Sequence, residues 1–576
     1  MSLPLLPTAA ACALFLTIVY KFILHPAFIS PLSKVPSAHW SSSISPLWVL
    51  YHRLLQQDTP VLACLHKKFN APILRIAPNE LSVNCVSGGL RTIYSGGFEK
   101  GTWYSNVFSN YDVQPMFAME DKEGHSKRKR ILSNIYAKST LQSSKALDEQ
   151  TEVIIKERLR PRILAEVEKE ATNGGGGIEF YDIFCAVTMD FVSAYIFGLE
   201  NGSDFLVSDK DGGIRLFHDF KARQKYTFWP QECPGFTRFL AKLGLKWLVV
   251  PTWVDGANQD IESWLMGMCE KAKQTAQKID GGGEVNERDV PTVYRQLEGG
   301  LQKEQKKSGI GAEGNLKIEI ASELLDHTLA GFDTSSITLT WLAWQLSKTS
   351  NQHWQDMLRK EISTLKEEDS LDAKAIDALP ILHAILMESL RLHAAIPGQQ
   401  PRITPSHTLT TLGDPEAGAV YANLPPNTRV QSQAYALHRN PNVFPDPDSW
   451  LPDRWLNASS SPSLTAPVDT MTDTVYTPRT ADQLREMSRY FWAFGSGGRM
   501  CVGSNLAMLD MKATIVGVWG KFQTTIVDDE GMVPNGGYMA EPLGVGKGGH
   551  KGIGGKYADG ELRRFLRLKV VENMKA

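Results

Sequence analysis

The ten residues Phe494-Gly-Ser-Gly-Gly-Arg-Met-Cys501-Val-Gly503 restrict this chain more than any other stretch. They set one cysteine in a glycine-rich loop, with Arg499 two residues ahead of it and an apolar, helix-like run from 503 to 520 behind it. A sulfur used as a ligand must be held as an anion. The amides that open the following helix point their positive end back toward Cys501 and lower the thiol pKa. Gly497 and Gly503 let the backbone pass close to a flat partner where a side chain would collide. Arg499 has the reach and the fixed charge to hold a carboxylate. A merely buried cysteine, the common fate of this residue type, has no need of all of these together.

The complete pattern F-x-x-G-x-R-x-C-x-G resembles the haem-binding signature of the cytochrome P450 family, in its fungal microsomal type. The resemblance implies that Cys501 is the axial thiolate ligand of the iron of haem b. Such a ligand pushes electron density that favours O–O cleavage. It also places Phe494, Gly497, Arg499 and Gly503 around that cofactor, with Arg499 on a propionate.

At 576 residues, 42% hydrophobic and 22% charged, the chain has ample material for a globular core. A formal charge of −2 excludes the basic excess expected of a nucleic-acid binder. Seven cysteines (12, 64, 85, 185, 233, 269 and 501) are scattered without any C-x-x-C spacing. That is neither a disulfide framework nor a zinc site, and it suits a reducing compartment. From Leu3 to Tyr20 there are eighteen uncharged residues, then Lys21 and three more apolar positions. Residues 1–24 therefore read as a membrane anchor. Lys21 and Lys34 follow it and no basic residue precedes it, which puts the bulk of the chain in the cytosol. Pro26, Pro31, Pro36 and Pro46 within a Ser-rich stretch read as a stiff linker over residues 25–50. Residues 51–576 are then the haem-thiolate monooxygenase catalytic domain that the resemblance implies.

Helical periodicity covers about 125–160, 179–198, 258–279, 317–348, 351–366, 380–393 and 503–520, while residues 71–84 alternate like a short hairpin. The fold class is mainly α (α+β), one large domain. The resemblance implies the cytochrome P450 fold, a helix-rich triangular prism with small β-sheets, carrying an N-terminal transmembrane helix. Gly544, Gly546 and Gly549 match G-x-G-x-x-G, but too little chain follows for a dinucleotide-binding unit, so they read as a loop between C-terminal strands.

Within the apolar run 317–348 lies Ala330-Gly-Phe-Asp333-Thr334-Ser. Glycine, an acid and an alcohol weaken a helix together, as sequences do where function demands it. Dioxygen activation consumes two protons; the Thr334 hydroxyl can hold a water, Asp333 can feed protons inward from solvent, and Gly331 leaves room for O2. The segment resembles the family's oxygen-activation motif. Glu388 and Arg391 form an E-x-x-R pair, and Arg454 follows in Pro-Asp-Arg-Trp; together they resemble the family's buried structural triad. His125 and Lys129 stand where the family's W-x-x-x-R segment binds a haem propionate, with His in place of the aromatic and Lys in place of the arginine. Arg402 stands where another propionate contact is usual.

These likenesses imply a monooxygenase fed one electron at a time by a separate NADPH–cytochrome reductase, with cytochrome b5 as an additional candidate donor. Lys127, Arg128 and Arg130 would meet an acidic partner by charge. The substrate is expected to be a hydrophobic small molecule, with Trp103, Phe108, Phe117, Phe332 and the turn 396–400 as candidate lining. The implied location is the endoplasmic reticulum membrane, with one span and a cytosolic catalytic domain. A haem-thiolate isomerase or dehydratase would do without the acid–alcohol pair; a non-catalytic gas sensor would not need a proton relay.

Overall fold

The computed structural model describes residues 5–173, 175–208, 213–308, 313–365, 371–456, 479–543 and 566–572. Its axis is the helix Glu313–Ser347, thirty-five residues long. This central helix is apolar around most of its circumference, so it is buried by neighbours on several sides. Its main partner is the helix Phe180–Phe197, in which every residue except Asp182 is buried. The long helix Thr252–Asp280 closes a second side with one narrow stripe, Val254, Ala257, Ile261, Leu265, Met268, Ala272 and Ala276, at intervals of three and four.

Gly331 shows how close the two central helices come. A Cβ built there would lie 2.6 Å from Cγ2 of Val192. The residue expected to leave room for O2 is a packing glycine: its bare face is filled by a neighbouring helix. Thr188 pins the same crossing by donating to the carbonyl of Phe332 at 3.1 Å.

A small sheet flanks the helices, ordered Ile73–Ala77, Glu80–Val83, Arg429–Gln431, Arg402–Ile403. The first pair is the hairpin expected over 71–84, with Ile73 opposite Val83. Glu80–Val83 runs parallel to Arg429–Gln431, placing Leu81 against Val430. Arg402 in turn lies opposite Val430, so this sheet carries Arg402 to the edge of the site. A second sheet joins Phe522–Asp528, Arg567–Glu572 and Ile178–Glu179.

Two sequence expectations change. The run 125–160 is not one helix but the pieces Lys122–Leu132, Lys138–Leu141, Lys145–Glu152 and a wider-wound turn Val153–Leu159. The Pro/Ser-rich segment 25–50 is not a free spacer. Leu32 and Val35 are buried, and the Arg75 N–H donates to the Pro36 carbonyl at 2.8 Å, so this part of the segment is a docked strap. Ahead of it, an apolar helical stretch long enough to span a membrane, Ala9–Ile29, has no residue buried in the protein. The glycine-rich loop at 544–549 lies outside the described residues.

Candidate active site

A cavity of ≈ 1620 Å³, its mouth included, opens between the central helix and the cysteine loop. On one wall the loop is closed by two backbone bonds, Met500 N–H to Gly497 O at 3.1 Å and Cys501 N–H to Phe494 O at 3.0 Å. Gly497 has φ +71, and a Cβ on it would lie 2.2 Å from the Tyr94 carbonyl. This glycine answers a left-handed turn and a backbone neighbour, not a flat ligand. Gly503 is different: a Cβ there would meet nothing within 4 Å, because it faces the cavity. It caps the helix Ser504–Trp519, and its N–H reaches back to the Cys501 sulfur. Burial raises the thiol pKa, against the pull of that N–H and of Lys129. A bound cation is what would keep this sulfur deprotonated.

The opposite wall is the face of the central helix bearing Asp326, Ala330, Thr334 and Thr338, one residue per turn. Ala330 is exposed although its helix neighbours Leu329 and Phe332 are buried, so this face borders open space. The Thr334 hydroxyl donates to the Ala330 carbonyl at 2.8 Å, leaving its oxygen lone pairs toward the cavity. Asp333 points elsewhere. It is 3% exposed and pairs with the Lys221 ammonium, and Gln224 donates to its second oxygen at 3.2 Å. Lys221 also lies 3.6 Å from Glu541. Asp333 is thus no direct intake from solvent; any proton reaching it passes through this buried cluster.

One rim of the cavity is basic. Arg402 donates to the Tyr104 hydroxyl at 2.9 Å and to the Pro401 carbonyl at 2.7 Å, through a single nitrogen, which leaves its other donors free. His125 is buried; burial first, then the charges of Arg499, Lys100 and Lys129, push its pKa down to about 3, so it is a neutral donor. Lys129 differs from expectation: its ammonium is committed to the carbonyls of Gly498 and Met500, both at 2.9 Å, and so braces the cysteine loop. Arg499 likewise donates to the backbone carbonyls of Met119, Glu120 and Asp121. Its terminal nitrogens tie the loop to the start of the helix Lys122–Leu132, and its Nε remains for a carboxylate.

Glu388, Arg391 and Arg454 meet as expected, each at most 1% exposed in its side chain. Arg391 grips Glu388 with two parallel bonds of 2.8 and 2.7 Å, and Arg454 adds a third at 3.1 Å. Trp455 and the Leu451 N–H complete the carboxylate. Arg391 further donates to the carbonyls of His438, Pro447 and Ser449. A buried charge persists only when paired this fully.

Several residues escaped the sequence reading. Lys100 reaches the Phe117 carbonyl with its ammonium 4.0 and 3.9 Å from the ring centres of Tyr104 and Phe117. His438 accepts from the Trp492 N–H at 2.7 Å through Nε2 and bonds the Arg391 carbonyl through Nδ1, linking the triad to the start of the cysteine loop. Glu232 gathers Arg53, Arg429, Trp103 and Gln399. Burial alone would raise its pKa, but the two arginines hold it well below the usual carboxylate range. Their signal is spread over positions up to several hundred residues apart, which no local motif displays. Of the expected lining, Phe117, Ile396 and Gln400 border the cavity. Trp103 is turned to Glu232, and Phe332 stacks on Phe217 at 4.4 Å.

The cytochrome P450 family model matches residues 92–539, most of the chain, including the cysteine loop, the central helix and the Glu388 triad. The chain belongs to the cytochrome P450 family. It is similar to the cytochrome P450 monooxygenase FGM1 of Gibberella zeae, 24% identical with 91% of each chain covered. Cytochrome P450 monooxygenase avaI of Aspergillus versicolor is 27% identical, covering 76% of this chain and 91% of its own. Cytochrome P450 monooxygenase tazI of Aspergillus terreus is 24% identical over 94% of this chain and 97% of its own. As a cytochrome P450, this is a haem-thiolate monooxygenase, using haem and O2. The site fits that group: sulfur on one wall, a helix face without bulky side chains opposite, and cationic or neutral donors along one rim.

Proposed function

We propose that this P450 oxidises a hydrophobic small molecule in the biosynthesis of a fungal secondary metabolite, by inserting one atom of O2 into a C–H bond. The second oxygen atom leaves as water, with two electrons from NADPH and two protons. The observation that carries this reading is the shared cavity: Cys501 and the Ala330–Thr334 face line the same space. Haem, when held through Cys501, supplies the activation of O2.

The chain's own residues then divide the work. Arg402 and His125 would hold the propionates of a bound haem, and Arg499 would contribute through its Nε. Lys129 keeps the loop carbonyls fixed and adds positive charge beside the sulfur. Thr334 orients a water in the cavity, and Asp333 delivers protons drawn from the Lys221–Glu541 cluster. Phe117 and Ile396 exclude solvent and select for apolar substrates. A proton relay of this kind favours oxygenation over isomerisation or gas sensing.

Electrons would come from a separate NADPH–cytochrome reductase, with cytochrome b5 as a second donor, docking on the cysteine side. Arg128 is unavailable for this, because it is buried against Glu319 and Glu323 at 3.2 and 3.1 Å. Lys127 and Arg130 remain exposed on the helix whose Lys129 grips the loop.

The protein would sit on the endoplasmic reticulum membrane by its N-terminal span. A second apolar surface supports this: Phe236, Phe239, Trp247 and Leu248 are exposed just beyond the helix Phe228–Glu232, which packs on Leu47–Leu54 with its own exposed Leu47 and Tyr51. The test is reconstitution with reductase and hydrophobic candidates. Substrate-dependent NADPH consumption with an oxygenated product supports the reading, whereas haem binding without any turnover across the panel favours the sensor.

A further inference from the structure

The cavity is lined by two carboxyls that make no hydrogen bond or ion pair among the described residues, Asp326 on the central helix and Asp510 on the cysteine helix. Asp326 stands two turns before Thr334 on the same face of the central helix, and it lines the cavity. Among the described residues it makes no hydrogen bond and no ion pair. Its acidic neighbour Glu323 takes Arg128 at 3.1 Å and the Met116 N–H at 2.9 Å on one oxygen, and His327 Nε2 lies 3.4 Å from the other. His327 is engaged too, bonding Tyr136 at 2.9 Å. Lys100 shares the cavity but forms no ion pair with Asp326: its ammonium lies over Tyr104 and Phe117, and burial beside Arg402 and Arg499 drives its pKa far down. Burial pushes Asp326 up to about 7, and the nearby charges of His327 and Lys100 draw it back only in part. A second cavity carboxyl, Asp510, sits on the cysteine helix itself, on the sulfur side.

A carboxyl left without a partner in a mainly apolar cavity is a recognition element for whatever enters. We propose that Asp326 anchors a cationic nitrogen, so that the substrate is an apolar molecule carrying a protonated amine apart from the carbon that is oxidised. The proposal rests on the monooxygenase reading above and names its substrate class. A cation supplies the missing charge, turns the desolvated carboxylate into a buried pair, and fixes the orientation of the apolar remainder over the Ala330–Thr334 face.

The test uses the haem-loaded full chain and the spin-state shift of its Soret band. The probes are N,N-dimethyloctylamine, its quaternary trimethyl analogue and the neutral isostere 2-methyldecane. The quaternary cation has no lone pair and cannot ligate iron, so its binding reports charge recognition. Both cations should bind the wild type about tenfold or more tighter than the hydrocarbon. Asp326→Asn should abolish that preference, and Asp326→Glu should keep most of it. Equal binding of all three probes to the wild type overturns the proposal, as does a preference that survives Asp326→Asn. If the Asn variant fails to load haem, the wild-type comparison still decides. The carbon-monoxide spectrum of the reduced wild type is recorded first: loss of the thiolate band there would defeat the underlying haem-thiolate reading instead, independently of the titration.

Discussion

At the scale of single residues, the same types that weaken a helix also mark its use. Thr334 lies on the cavity face and spends its proton on Ala330, so its oxygen can accept from a water. Thr334→Ala should keep binding and NADPH oxidation but divert much of the flux to hydrogen peroxide; unchanged coupling in a peroxide assay would remove it from proton delivery. Gly331→Ala weighs two effects. Alanine gains about 1 kcal/mol of helix propensity, but its methyl meets the stiff, branched Val192 at 2.6 Å. Overpacking of this kind costs about 1–3 kcal/mol, so we expect net destabilisation in denaturant unfolding. His438 links stability to pH. Burial holds its pKa at about 3, far below its ordinary value of 6.5. The unfolded chain therefore takes the proton first, and the contribution present above pH 6.5 is lost as pH falls toward 3. His438→Gln should reduce the slope of unfolding free energy between pH 4 and 6 by about 1.4 kcal/mol per unit relative to wild type.

At the scale of elements, local patterns announced some parts and concealed others. The cysteine loop, the central helix, the hairpin and the E-x-x-R helix were legible, because each is fixed by residues close in sequence. The run 125–160 kept a helical period through breaks at Ser133–Ala137 and Gln142–Ser144, where the Ser133 and Ser143 hydroxyls donate to nearby carbonyls and Ser144 accepts from the Leu147 N–H. Arg499 and Lys129 line the cavity, yet their donors serve backbone carbonyls that only the folded chain brings within reach. The Glu388 cluster was legible as a triad but not in its extent, since its carbonyl partners come from the turn Pro445–Ser449. Removing the charge at its centre leaves two buried guanidinium groups unpaired. Glu388→Gln should cost about 3–5 kcal/mol and lower the haem content of the purified protein, measured by pyridine haemochrome against protein mass.

At the scale of the whole molecule, the strap and the apolar surface define what tethers the protein. Leu32 and Val35 are buried in the body, whereas the stretch before Ser30 is exposed. Removal of residues 2–29 should release the protein from membranes without loss of its thiolate spectrum, and removal of residues 2–38 should destabilise the fold; sedimentation with vesicles and thermal unfolding check the two halves. Most of the architecture followed from periodicity and one loop. The substrate side did not, because Asp326 reads in sequence as an ordinary helical acid and gains meaning only from the partners it lacks. The most direct test of the account is the carbon-monoxide difference spectrum of the reduced protein. A strongly red-shifted Soret band, lost on Cys501→Ser, is the predicted result. A nitrogen-ligand spectrum in the wild type, or an unchanged thiolate band in Cys501→Ser, would contradict it.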